Sequence, residues 1–95
     1  MFERALQDIT GVSVRATLKT ATVLDIAEQL DAFAAQLEAE AAHGLPVSRS
    51  RFRRLDGSPV RGQAWEEYLD AELWRDIARM FRAYGEAGYE LYGSW

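Results

Sequence analysis

Two pairs of carboxylates, Glu66 with Asp70 and Glu72 with Asp76, stand four residues apart in a segment of helical periodicity. On one helix face that spacing lets two carboxyl groups share a divalent cation or a proton. With no histidine beside them and no second acidic helix motif, they read as solvated surface, and no metal site is assigned. The single histidine, His43, falls at a predicted helix end beside Gly44, where the helix dipole favours the imidazolium. Ser13, Ser48, Ser50, Ser58 and Ser94 lie in no G-x-S-x-G elbow. Cysteine is absent, which removes thiol nucleophiles, thiolate metal sites and disulfides. The glycines occur singly and form no phosphate-binding loop. No catalytic residue and no cofactor is therefore assigned. Trp65, Tyr68, Trp74 and Tyr92 would line the pocket if the chain were a small cofactor-free enzyme, the weakest of three functional readings.

The densest chemistry lies in the arginines. The stretch SRSRFRRLDGSPVRG, residues 48–62, holds Arg49, Arg51, Arg53, Arg54 and Arg61 against one acid, Asp56. Guanidinium forks bind phosphates and carboxylates in a bidentate manner, and Phe52 among them could stack on a base. Residues 49–62 carry a net +4, whereas residues 1–48 and 63–95 each carry −4. Flanking acidity of that size repels a long polyanion and favours a small or local anionic target. As an extended segment, VSRSRFRR shows no apolar face. That pattern also suits an edge strand kept soluble by charge.

The acidic side chains raise the opposite possibility. Asp25, Glu28, Asp31 and Glu38 on one predicted helix, with Glu66, Glu67 and Asp70 on another, could meet an arginine- and lysine-lined groove in place of phosphates. In size and composition the chain is similar to small phage-encoded inhibitors such as anti-CRISPR proteins, and to bacterial immunity proteins. The likeness rests on no shared motif.

The elements that must position these groups are legible in the periodicity. FERALQDI, residues 2–9, predicts a short helix ending before Gly11. In VSVRATLK, Val12, Val14, Ala16 and Leu18 alternate with polar residues, predicting a strand. A long helix is expected from Thr22, as its cap, to His43. Its apolar stripe is Val23, Ile26, Ala27, Leu30, Phe33, Ala34, Leu37 and Ala41, and Gly44 with Pro46 ends it. A second long helix is expected from Gln63 to Tyr84, with Trp65, Leu69, Leu73, Ile77, Phe81 and Tyr84 facing the core and Met80 widening the row. YELYGSW, residues 89–95, predicts a terminal strand.

With a hairpin turning at Asp56-Gly57, these elements give an α+β fold, a single domain over residues 1–95 with two helices on one face of an antiparallel sheet. That order is the ferredoxin-like βαββαβ arrangement preceded by a short helix; the alternative is an all-α helical bundle. The chain contains no apolar run of membrane-spanning or signal-peptide length, so a cytoplasmic location is expected. The expected function is non-enzymatic: a small acidic inhibitor or adaptor whose partner is another protein, such as a nucleic-acid-handling complex. The runner-up is a nucleic-acid-binding module using Arg49, Arg51, Phe52, Arg53, Arg54 and Arg61. Either a monomer or a homodimer fits.

Overall fold

Apolar residues spaced by three and four bury one face of each of three helices in the computed structural model, which describes residues 2–13, 18–42, 44 and 52–90. The helices are α1 (Phe2–Thr10), α2 (Thr20–Ala42) and α3 (Ala71–Glu86), and a 3-10 turn lies at Ala64–Glu67. Among the described residues there is no strand and no sheet; Arg53 and Pro59 form an isolated antiparallel bridge, and Leu18 is a further isolated bridge residue. The domain is therefore a small all-helical one, and the expected α+β, ferredoxin-like sheet is corrected.

The strands fail for a physical reason visible around residues 52–60. There Val60 N–H donates to the Phe52 carbonyl at 3.2 Å and Arg54 N–H to that of Ser58 at 2.8 Å, closing a short reversal at Asp56-Gly57. Gly57 sits at φ 87°, a left-handed conformation that glycine adopts without steric cost. The Asp56 carboxylate accepts from both Ser58 Oγ and Ser58 N–H, and these two bonds hold its pKa below the usual carboxylate value. Beyond that point the backbone needs no neighbouring strand. The Gln36 side chain donates to the Arg53 carbonyl at 2.8 Å and accepts from Arg53 N–H at 2.9 Å, while Gln29 Oε1 accepts from Leu55 N–H at 3.0 Å. Two glutamine amides on α2 thus do the pairing that a ladder would do. Of the other expected strands, residues 14–17 and 91–95 lie outside the described residues; Val12, Ser13, Tyr89 and Glu90 are irregular.

The helix boundaries shift where side-chain hydrogen bonds intervene, one tertiary and one a local cap. α2 starts at Thr20, two residues before the expected cap Thr22, and the Thr20 hydroxyl faces the carbonyls of Gly88 and Tyr89 at 3.3 Å each. The expected helix from Gln63 to Tyr84 is divided. Asp70, extended at φ −87° and ψ 112°, accepts from Glu72 N–H at 3.0 Å and starts α3 afresh, so Trp65 falls in the preceding 3-10 turn. A side-chain cap of this type contributes about 1 kcal/mol.

One apolar cluster draws from every element: Leu6 and Ile9 of α1, Ile26, Leu30 and Phe33 of α2, Trp74 and Phe81 of α3, and Phe52, Val60 and Trp65 between them. Its centre is aromatic. Phe33 lies 5.3 Å from Phe52 and 5.6 Å from Trp65, and Phe52 lies 5.1 Å from Trp65, ring centre to ring centre. α3 packs tightly on α2 at Gly85, where a Cβ would lie 2.5 Å from Leu24 Cδ2. Outside the core, Asp31 accepts from Arg82 and forms an ion pair at 3.7 Å with Arg75, which donates to Glu38 at 2.6 Å. Each such partly exposed pair contributes at most about 1 kcal/mol; together they hold α3 in register on α2.

Candidate interaction surface

The arginine-rich stretch is divided by its folding. Phe52 is 1% exposed, packed on Phe33 and Trp65, so it is a core residue and presents no face to a base. Its bonded neighbour Val60 is buried beside it, which supplies the apolar face that the alternation of VSRSRFRR did not reveal. Arg54 donates through Nη2 to the Asp8 carbonyl at 2.8 Å and through Nε at 3.3 Å, satisfying the C-terminal end of α1. Arg53 and Arg61 project to solvent, although Arg53 Nη1 also donates to the Phe52 carbonyl at 3.0 Å. Arg49 and Arg51 lie outside the described residues, as does His43.

The acidic side chains do not converge on one surface. Asp31 and Glu38 are engaged by arginines of α3, and Asp70 caps that helix. Asp25, Glu28 and Glu67 are exposed, the first two on α2 and the third, with Glu66, on the 3-10 turn. The carboxylate pairs are likewise taken apart. Glu66 and Asp70 no longer share a helix, and Asp76 pairs with Arg79. Among the described residues no group of three or more His, Asp or Glu side chains is placed to hold a metal ion. Trp65 and Trp74 are fully buried, Tyr68 is half-buried, and Tyr92 lies outside the described residues.

What the sequence reading missed is on α3. Its buried face is Trp74, Ala78, Phe81 and Gly85. The expected core row shares only Phe81 with it. The rest of that row runs one residue out of phase: Leu73 and Ile77 are half-buried, while Met80 and Tyr84 are 40% and 41% exposed. Leu69, at 42%, precedes the row, and Tyr89, at 60%, follows it and meets Tyr84 edge-on at 6.2 Å. At 100° per residue the two rows cover roughly 160° of the helix, more than one neighbouring helix can bury. The signal was present in the sequence as that excess arc. The small residues Ala78 and Gly85 mark which half faces α2, because only small side chains allow so close an approach.

On its solvent side this row is bordered by Asp76, with Glu72 and Arg79 farther round the exposed face, whereas Arg75 and Arg82 are turned to α2. The result is a narrow, partly exposed apolar row with a carboxylate on its solvent side. No helix among the described residues is long and apolar enough to cross a membrane. No protein-family model, no curated protein and no solved structure matches this chain.

Proposed function

We propose that the chain acts by binding another protein in the cytoplasm, without catalysis, and that it does so through the exposed side of α3. The observation that carries this reading is the pair Met80 and Tyr84, apolar and exposed beside a helix face already filled by the core, with Leu73 and Ile77 half-buried in the same row. It revises the chemistry expected of such a binder. Asp31, Glu38 and Asp70 have structural work to do, so apolar anchors on α3 replace an acidic imitation of phosphate as the source of affinity.

A photo-crosslinking amino acid placed at Met80 in the native host tests it, with Ala39, exposed on the far part of α2, as the control position. A covalent protein adduct is expected from position 80 and none from position 39. Absence of adducts, or equal adducts from both positions, overturns the reading.

A second reading retains one specific support, the two guanidinium groups of Arg53 and Arg61 that project from the same short reversal. Two phosphate contacts give a log–log salt slope of about −2 on duplex DNA, against −4 to −5 for all five arginines. Titration of single-stranded and duplex oligonucleotides at low salt is the measurement. Binding lost in the Arg53→Ala, Arg61→Ala double variant supports this reading, and no binding at low salt removes it.

A further inference from the structure

We infer that Asp56-Gly57 is a chemical modification site, where the aspartate isomerises to isoaspartate through a cyclic imide, and that the native turn, held by Ser58, suppresses the reaction. This is independent of what α3 binds. Ring closure requires a carboxyl group within reach of the next residue's amide nitrogen and no side chain in the way. Gly57 meets the second requirement, and both residues are exposed at the tip of the reversal. A bond forms between Gly57 N and Asp56 Cγ, and the carboxyl hydroxyl leaves as water with the amide proton. Water then adds back to the ring. Breaking the bond to Cγ restores aspartate, whereas breaking the bond to the main-chain carbonyl carbon routes the chain through Cβ and Cγ and frees the α-carboxylate. Atoms balance, no oxidant is needed, and the mass is unchanged.

The folded turn opposes each part of that step. Gly57 N–H donates to the Arg54 carbonyl at 2.9 Å, so the attacking nitrogen is engaged. Asp56 Oδ1 accepts from Ser58 Oγ at 2.6 Å and from Ser58 N–H at 2.8 Å, which ties the carboxylate to the residue beyond the one that must attack it. Both bonds, the hydroxyl's foremost, favour the ionised carboxylate, which has no hydroxyl to lose. Arg54 N–H on the Ser58 carbonyl at 2.8 Å closes the turn and sets Phe52 and Val60 in the core. Isomerisation puts an extra main-chain carbon inside that closure. The reaction therefore proceeds from molecules whose turn has opened, and the local stability of the turn sets its rate.

Incubation of the full chain at mildly acidic pH, native and in urea, tests this. Cleavage after Arg54 and Arg61 releases the tryptic peptide of residues 55–61, whose aspartate and isoaspartate forms are separated by chromatography and identified by fragmentation mass spectrometry. In urea, wild type should accumulate isoaspartate at least about tenfold faster than when native, because opening the turn costs several hydrogen bonds. Ser58→Ala removes the hydroxyl donor and should speed the native reaction about fivefold, the net effect of one hydrogen bond, while matching wild type in urea. Ser58→Thr keeps the hydroxyl and should keep the wild-type ratio of urea to native rates. No isoaspartate in urea, equal rates in urea and in the native protein, or a Ser58→Ala ratio equal to that of wild type overturns the inference.

Discussion

Phe52→Ala is expected to destabilise the domain by about 3–5 kcal/mol, the cost of emptying a fully enclosed phenylalanine site. Phe52 is 1% exposed and touches both Phe33 and Trp65, so its removal opens a void at the junction of α2, the 3-10 turn and the reversal at Asp56-Gly57. The neighbouring backbone cannot easily collapse into that void. Gln36 grips Arg53 through two hydrogen bonds, and Arg54 is held to α1. Small domains are stable by about 5–15 kcal/mol, so the variant will melt far below wild type, at about 4–8 °C per kcal/mol. Urea denaturation followed by tryptophan fluorescence gives the value. Arg53→Ala and Arg61→Ala, two exposed positions in the same stretch, should each stay within about 0.5 kcal/mol. If Phe52→Ala melts with wild type, Phe52 is not part of the core.

Trp74→Ala should cost a similar amount, about 3–5 kcal/mol, and a finer comparison separates the two buried indoles. Trp74 Nε1 donates to the Tyr68 carbonyl at 2.7 Å, and the ring stacks on Phe2 at 5.4 Å. Trp65 is as deeply buried, but among the described residues its Nε1 finds no hydrogen-bond partner. Replacing Trp74 by phenylalanine leaves the Tyr68 carbonyl without its donor as well as a smaller ring. Replacing Trp65 by phenylalanine also loses volume, yet removes an unpaired buried N–H whose desolvation costs about 1–3 kcal/mol. Trp65→Phe should therefore be milder than Trp74→Phe by at least about 1 kcal/mol. The reverse order in matched denaturation curves would falsify the assignment of these two environments.

These residues show how far local sequence patterns reach. The stripe of α2 from Val23 to Leu37 was legible because its apolar residues recur at spacings of three and four and all of them are buried on one side of the helix. α1, the end of α2 near Gly44 and the reversal at Asp56-Gly57 were legible for similar local reasons. α3 was found but misphased. Its apolar arc serves two surfaces, and periodicity alone cannot say which half is buried when both halves are apolar. VSRSRFRR concealed a core residue because the partner of Phe52 on its buried face, Val60, lies eight residues away across a turn.

The candidate site was legible in composition and not in placement. Arg53, Arg54 and Phe52 are adjacent in the chain and do three different things: one is solvated, one holds the end of α1, and one fills the core. Asp31, Glu38 and Asp70 read as surface acids, and each is spent on an ion pair or a cap. No feature of the local sequence distinguishes an acid facing solvent from one facing an arginine on a helix some fifty residues later.

By itself the sequence determined the contribution of α2 to the core, the existence of the helices and the turn at Asp56-Gly57, since these follow from side-chain hydrophobicity and local backbone preference. Tertiary structure alone decided that glutamine side chains and not strands pair the backbone of residues 53–55, and that α3 turns Trp74 inward and Met80 outward. The physical reason is the same in both cases. Hydrogen bonding and close packing are satisfied between residues distant in the chain, and whichever partner arrives with the better geometry settles which face is buried.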